Sequence, residues 1–395
     1  MQKNQRYLMF GMLYFAQGSI MSFFTALNAL YLQSFGLGMG MIGIIGTIAM
    51  IPFVIKIFLG MLSDRVNLLG LGHRKPYILI GLAIQAVCLL IVPLVNPGRN
   101  FSLYAGLAFL LMSGMALYDT CTDGLALDST PPEEEGLIQG YMVGGRAAGM
   151  VLVSAALGLI VERFTWASGF FFLAVVTLLP LPLVFRIQEK ERQPERKFEW
   201  SAFKCFKQPA VIALGILGAL YSLIINGANQ LVNPFLAQRF NISYSTAGFV
   251  ATVLGLGIVA GGLLGGRITA RIGQRKSVLN ALAISLVSIG MLAAIANQWM
   301  AWVLVAVFGF AFGFYETVYF AVSMRFTDIR ISATMFSILM AVANIGTGIG
   351  LGISGALSER IGFEPTFLLL AAMNILALPL LMMIFPRRAA EAQVS

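Results

Sequence analysis

Apolar stretches long enough to cross a lipid bilayer recur twelve times along the chain, and short polar connections separate them. A membrane-spanning helix needs about 20 consecutive, mostly apolar residues. The pattern predicts helical spans at 7–32, 40–62, 76–95, 101–127, 138–161, 168–186, 209–235, 246–268, 277–296, 300–324, 333–357 and 365–385. We therefore expect an all-α polytopic membrane protein with twelve transmembrane helices.

The longest polar stretch lies near the middle of the chain and predicts a division into two six-helix halves. We assign residues 1–186 to an N-terminal half, 187–208 to a central cytoplasmic loop, and 209–395 to a C-terminal half with a short tail. Tandem halves of this kind are typical of duplicated transporters.

Residues repeated between the two halves indicate such a duplication. Near the end of the first span Asn28 is repeated by Asn233, at an offset of 205. In span 4 the triplet Tyr118-Asp119-Thr120 is repeated in span 10 by Tyr315-Glu316-Thr317, at an offset of 197. Repeats in the same order at nearly constant offsets favour one duplication followed by small insertions and deletions.

Composition indicates that the chain lies in lipid, and the distribution of its basic residues indicates its orientation in the membrane. Hydrophobic residues make up 58% of the sequence and charged residues 11%, so most of the surface faces lipid. Twenty lysines and arginines lie in the connections on the side of the N-terminus, and four lie on the other side: Arg99, Arg163, Arg239 and Arg360. Both termini are therefore predicted to be cytoplasmic. Because topology accounts for the net charge of +9, no nucleic-acid partner is expected.

The loop between spans 2 and 3 carries a motif of glycines and charges. Its members are Gly60, Asp64, Arg65, Gly72, Arg74 and Lys75. The motif resembles the loop signature of the major facilitator superfamily, and the resemblance implies a secondary transporter with that fold. We expect Asp64 to hold the cytoplasmic side closed through charge-assisted contacts. The alternative is a solvated loop charge without such a role.

Five ionisable residues lie inside the predicted spans: Lys56, Asp119, Asp123, Arg146 and Glu316. Each costs roughly 2.5 to 3.5 kcal/mol at the bilayer centre on the lenient insertion scale, so a functional reason is expected. Asp119 and Asp123 are four residues apart and share one helix face. Two partly desolvated carboxylates so close do not both ionise readily, as a proton carrier requires. We predict both, together with Glu316, as proton-coupling sites.

Two cations in the spans are predicted to bind substrate. Arg146 is placed to reach the depth of Asp119 on an antiparallel helix, and we expect it to pair with a carboxylate in one state and an anionic substrate in another. A permanent ion pair between Asp123 and Arg146 is the alternative. Lys56 either contacts substrate or extends to the membrane surface.

Uncharged polar residues extend the predicted substrate path. The candidates are Gln17, Asn28, Tyr118, Asn226, Gln230, Asn233, Tyr315 and Asn344. Three of them, in span 7, lie on one helical face. An amide within a span can equally form a hydrogen bond between helices.

Several motifs in the N-terminal half narrow the resemblance. Those similar to the muropeptide permease (AmpG-type) family are Pro52-Phe53-Val54-Ile55-Lys56, Asp119-x3-Asp123-x4-Asp128, Pro132-Glu133-Glu134 and Gly144-x-Arg146-x2-Gly149. The related acetyl-CoA and folate-biopterin transporters look similar, and Tyr14-Phe15-Ala16-Gln17-Gly18 resembles the latter. The resemblance implies a bulky organic anion as substrate.

The leading functional hypothesis is proton-coupled symport of an organic anion by alternating access, with no cofactor beyond the proton gradient and a monomer as the working unit. A proton-coupled efflux antiporter is the first alternative, and a membrane receptor or assembly protein that does not transport is the second. An enzyme is not expected, because the one histidine, His73, lies in a loop without a nucleophile or metal-ligand set. We expect a multi-pass protein of the inner membrane.

Overall fold

The structure, a computed structural model, describes residues 3–70, 72–130, 134–187, 189, 204, 206–326 and 332–386. Its α-helices in these ranges are α1 (Lys3–Ala26), α2 (Asn28–Ser34), α3 (Met39–Arg65), α4 (Lys75–Ile91), α5 (Phe101–Ser129), α6 (Glu135–Arg163), α7 (Trp166–Leu178), α8 (Leu181–Val184), α9 (Pro209–Phe240), α10 (Tyr244–Ile272), α11 (Gln274–Leu292), α12 (Gln298–Arg325), α13 (Ser332–Ile361), α14 (Phe363–Met373) and α15 (Leu378–Ile384). Within the described part of the chain, 12 helical segments are long and apolar enough to cross a membrane, which confirms the predicted number of spans. Most of the predicted loop 187–208 lies outside the described residues.

Several helices extend beyond the predicted limits because a helix can continue past its apolar part. The predicted span 40–62 is part of α3, which ends at Arg65, and α9 continues from the predicted end at 235 to Phe240. Intrahelical hydrogen bonds satisfy the backbone in lipid, and polar residues at the membrane surface can continue the same bonding pattern.

Three predicted spans are interrupted rather than continuous. The predicted span 168–186 is divided into α7 and α8, and Pro180 precedes α8. In 365–385 a 3-10 turn separates α14 from α15, and Pro379 lies in the first turn of α15. Proline has no backbone N–H and its ring collides with the preceding turn, which favours a break at these two positions, whereas Pro52 and Pro234 lie inside the continuous helices α3 and α9. The span 7–32 is interrupted at Leu27, between α1 and α2.

The chain forms two compact units. Unit 1 comprises Met1–Gly38, Ile48–Pro194 and Ala237–Gly255, and unit 2 comprises Met39–Thr47, Glu195–Leu236 and Leu256–Ser395. Three helices are shared between the units. The first residues of α3 belong to unit 2 and its remainder to unit 1, whereas α10 begins in unit 1 and ends in unit 2. Most of α9 belongs to unit 2, and its last residues, from Ala237 onward, belong to unit 1.

Within unit 1, α1 and α6 approach each other backbone to backbone. A Cβ atom added at Gly18 would lie 2.0 Å from the carbonyl oxygen of Arg146, and one at Gly149 would lie 2.2 Å from that of Phe15. Small residues allow transmembrane helices to pack this closely, because lipid offers no hydrophobic force to press them together. The contact fixes the polar residues of α1 beside those of α6.

Candidate functional site

Unit 1 holds a cluster of polar and charged side chains contributed by four helices. Its members are Tyr14 and Gln17 on α1, Lys56 on α3, Asp119 and Asp123 on α5, and Arg146 on α6. We call this group the unit 1 cluster. The structure thus brings together four of the five ionisable residues that the sequence places inside membrane spans, and the fifth, Glu316, lies in unit 2.

Asp119 is the most enclosed acid of the unit 1 cluster, with a side chain only 6% exposed. The amide of Gln17 donates to its Oδ1 at 2.8 Å, and the ammonium of Lys56 lies 3.4 Å from its Oδ2. Each carboxylate oxygen thus has a donor, and one donor carries a positive charge.

Asp123 has a different partner. Its Oδ1 accepts a hydrogen bond from the hydroxyl of Tyr14, and it forms no ion pair with another described residue. The side chain is half-buried. The two acids therefore share a helix face, as their spacing predicts, but they differ in how their negative charge is balanced.

Lys56 is directed into the unit 1 cluster. Its side chain is 23% exposed and its Nζ faces Asp119. Of the two orientations that its position in the span allows, the structure has the one that places the ammonium beside an acid rather than at the membrane surface. The ion pair between Lys56 and Asp119 was not anticipated from sequence, since nothing in the spacing of α3 and α5 aligns these two residues.

Arg146 lies within electrostatic range of Asp123, Lys56 and Tyr14. It forms no ion pair with a carboxylate of the described chain. The expected pairing of Arg146 with an acid in one transport state stays a prediction. In this structure Lys56 is the cation that pairs with Asp119.

Tyr14 is the functional candidate that sequence reasoning missed. It appeared only within the motif shared with folate-biopterin transporters, although Tyr14 and Gln17 are three residues apart and hence on one face of α1. In the structure both donate to α5, Tyr14 to Asp123 and Gln17 to Asp119. The donors are three residues apart and the acids four, so each pair shares one face of its helix, and this is the signal that could have identified the contact.

Unit 2 contains the duplicated position. Glu316 is half-buried on α12, at the same distance from the start of its helix as Asp119 from the start of α5. The adjacent Tyr315 is buried, like its counterpart Tyr118, and its ring centroid lies 4.4 Å from that of Tyr221. The duplication thus preserves a buried tyrosine beside an acid in both units.

The amides of α9 form hydrogen bonds between helices of unit 2. The amide of Asn226 donates to Thr347 Oγ1 at 3.2 Å, and that of Gln230 donates to the carbonyl oxygen of Leu351 at 3.0 Å. Both acceptors lie on α13, so these amide groups hold α9 against α13. Their role as substrate ligands stays a prediction.

The remaining polar candidates lie in both units. Asn233 is buried on α9, and Asn344 is half-buried on α13. Asn28 is buried at the start of α2, where the Tyr104 hydroxyl lies 3.5 Å from its Oδ1.

The loop after α3 is held by Arg74. This side chain is buried, and its Nε donates to Asp128 at 3.0 Å while its Nη1 donates to Ser63 Oγ at 2.7 Å. Gly60 is half-buried and Arg65 is exposed. The side chain of Asp64, to which we assigned the gating role, lies outside the described residues.

Glu189 binds the start of α4. Its carboxylate accepts the backbone N–H groups of His73 at 2.7 Å and Arg74 at 2.8 Å, and also that of Lys75. Gly72 has a φ of +122° and a Cβ there would lie 2.5 Å from the carboxylate, so glycine is required on both grounds. A carboxylate at a helix N-terminus satisfies donors that have no partner within the helix.

A second carboxylate outside the spans fixes the start of α1. Glu134 pairs with Lys3 at 2.8 Å and with Arg6. Its hydrogen bond with Lys3 and the nearby positive charges hold the pKa of Glu134 below its usual value. The acid of the Pro132-Glu133-Glu134 motif therefore ties the connection before α6 to the N-terminal helix.

Comparison with known proteins identifies the type of protein. The family model described as Major Facilitator Superfamily matches residues 8–232 and 214–395. The anhydromuropeptide permease of Escherichia coli K12 is 25% identical over 84% of this chain and 70% of its own length. The folate-biopterin transporter of Synechocystis is 28% identical over 49% of this chain and 41% of its own length. The crystal structure of the nucleoside transporter NupG has the same fold, with a TM-score of 0.79 and 14% identity over 98% of this chain and 100% of that one.

Proposed function

The chain belongs to the Major Facilitator Superfamily, and from that premise we propose that it is a proton-coupled symporter of a bulky organic anion. It is a multi-pass membrane protein of a transporter family rather than an enzyme. In the proposed mechanism the unit 1 cluster binds both the anion and the proton. All members of this cluster come from one chain, so a monomer suffices.

The observation that carries the proposal is the pairing of Asp119 with Lys56. An anionic substrate group that binds the Lys56 ammonium removes the cation from Asp119. Asp119 then remains beside Asp123 with only the amide of Gln17 as a donor. A buried carboxylate without a cation favours its neutral form, so Asp119 takes up a proton as the anion binds. Anion and proton therefore bind together, which is the linkage that symport requires.

Arg146 and Asp123 complete the proposed site. Arg146 supplies a second cation within electrostatic range of Lys56, so a carboxylate or phosphate on the substrate could contact both. The negative charge of Asp123 adds to the unfavourable field at an unpaired Asp119 and strengthens the coupling. The Tyr14 hydroxyl holds Asp123 in place through its hydrogen bond.

The names of the relatives support the substrate class. An anhydromuropeptide permease and a folate-biopterin transporter both handle bulky organic solutes. The resemblance of the N-terminal motifs to these families implies an anion, and Lys56 and Arg146 are the cations inside the spans that could bind one.

Uptake of labelled folate and of anhydromuropeptide into proteoliposomes, with and without an inward proton gradient, tests the proposal. We expect the gradient to drive accumulation, and Asp119→Asn to abolish the dependence on the gradient. Glu134→Gln, which removes an acid outside the spans, is the matched control and should transport normally. Accumulation driven instead by an outward gradient would indicate the efflux antiporter. Uptake that ignores both the gradient and the Asp119 substitution would rule out proton symport.

A further inference from the structure

Two helix crossings in this protein are duplicates of each other, and the proposed transport site uses neither. In unit 1 the end of α6 crosses the beginning of α10, and in unit 2 the end of α13 crosses the beginning of α3. The residues of α13 correspond to those of α6 at an offset of 197, and the residues of α10 correspond to those of α3 at an offset of 205. These are the two offsets by which the sequence halves repeat.

The same carboxylate contact closes both crossings. Glu162 accepts the backbone N–H of Ser245 at 2.7 Å, and Glu359 accepts the backbone N–H of Gly40 at 2.7 Å. Ser245 and Gly40 are each the second residue of their helix. Each glutamate therefore binds a donor that its own helix leaves without a partner, at the positive end of the helix dipole.

Farther along each crossing, a threonine hydroxyl forms an equivalent hydrogen bond to the facing helix. Thr252 Oγ1 donates to the carbonyl oxygen of Val151 at 2.8 Å, and Thr47 Oγ1 donates to that of Gly348 at 2.7 Å. These residues again correspond at offsets of 205 and 197. Such a bond satisfies a hydroxyl inside the membrane while it holds two helices together.

A glycine lies between these two contacts in each crossing. A Cβ atom at Gly158 would lie 2.5 Å from the carbonyl oxygen of Tyr244, and one at Gly355 would lie 2.3 Å from that of Met39. Side chains are thus excluded at both positions, and the backbones touch. The same three contacts, made by a glutamate, a glycine and a threonine, recur at duplicated positions in both crossings. This recurrence indicates a shared function rather than incidental packing.

We infer that Glu162 and Glu359 are paired latches at the outer face of the membrane, and that both must release when this face opens. The predicted topology places Arg163 and Arg360, each next to one of the glutamates, on the outer side of the membrane. A hydrogen bond from a backbone N–H to a carboxylate can break without leaving a charge buried in lipid. The inference depends on membership of the transporter family and is independent of the proton and of the substrate.

Cysteine labelling tests the latches without any substrate. The 3 native cysteines are replaced, and Thr47→Cys or Thr252→Cys is introduced as a reporter inside one crossing. Purified protein in detergent micelles is treated with a charged maleimide, and the labelling rate is measured. Removing the charge of one latch, by Glu162→Gln or Glu359→Gln, should raise the labelling rate at the reporter in the same crossing by about fivefold. This is the factor expected for a helix-capping contact that contributes ~1 kcal/mol.

The decisive measurement is the rate at the reporter in the other crossing. If the latches act together, Glu162→Gln speeds labelling of the Thr47→Cys reporter as well as the Thr252→Cys reporter, and Glu359→Gln does the same. Effects confined to the reporter in the same crossing, or no effect at either, would overturn the inference. Glu134→Gln is the matched control, because this acid belongs to neither crossing, and both rates should stay unchanged.

A second variant guards against misfolding of the glutamine variants. A Cβ atom at Gly40 would lie 2.5 Å from Glu359 Oε2, so Gly40→Ala displaces the carboxylate and leaves its charge in place. Alanine also has a higher helix propensity than glycine, which favours folding of α3. Faster labelling at both reporters supports the latches, and unchanged or slower labelling contradicts them.

Discussion

Replacing Lys56 by methionine tests the central ion pair of the unit 1 cluster. The substitution keeps most of the side-chain volume and removes the positive charge 3.4 Å from Asp119. Asp119, 6% exposed, then keeps only the amide of Gln17 as a donor. It must either stay ionised without a cation or take up a proton.

The free-energy costs of these two outcomes, an ionised or a protonated Asp119, determine how much stability Lys56→Met loses. Removing one partner of a buried ion pair typically costs about 3 to 5 kcal/mol when the other charge remains. Protonating an ordinary aspartate, whose pKa is about 3.9, costs about 4 kcal/mol at pH 7 and about 1.5 kcal/mol at pH 5. The protein adopts the cheaper outcome, so we expect a loss of about 3 to 4 kcal/mol at pH 7 and about 1.5 kcal/mol at pH 5.

The assay is the free energy of unfolding in mixed micelles at both pH values, for Lys56→Met alone and combined with Asp119→Asn. In the Asp119→Asn background no carboxylate is left unpaired, so Lys56→Met should have a small effect that does not depend on pH. Lys276→Met removes an exposed lysine that forms no ion pair with another described residue, and serves as the control that should leave stability unchanged at both pH values. A Lys56→Met effect that is the same at both pH values and in both backgrounds would refute the ion-pair reasoning.

Two further predictions concern helix packing and pH. Gly18→Ala should destabilise the protein by about 1 to 3 kcal/mol, because its Cβ meets the carbonyl oxygen of Arg146 at 2.0 Å, whereas Gly140→Ala, with nothing within 4 Å, should be neutral or slightly stabilising in the same thermal unfolding measurement. The lowered pKa of Glu134 means that its contacts with Lys3 stabilise the protein above the usual glutamate pKa of about 4.3, and that this stabilisation is lost as pH falls through the lower value in the folded state. Melting temperatures of the native protein and Glu134→Gln should therefore differ at pH 6 and converge at strongly acidic pH, and a constant difference would contradict this.

The sequence alone determined the number of membrane spans, the duplication and the positions of the charges within the spans. These properties are local: a run of apolar residues either is or is not long enough to cross lipid, and a charge inside such a run can be read directly. It also placed Asp119 and Asp123 on one face of α5, because the helical repeat fixes which residues of one helix are neighbours. The interruptions at Pro180 and Pro379 follow from local chemistry as well, although we predicted continuous spans there.

Only the tertiary structure decided which residues of different helices meet. In this structure Lys56 pairs with Asp119 and Tyr14 binds Asp123, two contacts that the sequence did not predict, and the pairing of Arg146 with an acid in one transport state stays a prediction. Partner choice depends on how each helix is rotated and how closely it approaches its neighbours. Backbone contacts at particular glycines set that rotation and approach, and hydropathy does not report them.

The contacts of the polar helix ends could not be predicted from the sequence for the same reason. In the sequence Glu189 lies in the polar stretch between the halves, and Glu162 and Glu359 each precede an arginine near the end of a predicted span. Each accepts a backbone N–H from a helix that is distant in sequence. Every helix start has unpaired donors, so the sequence shows where a carboxylate could bind, and only the packing of the helices determines which carboxylate does.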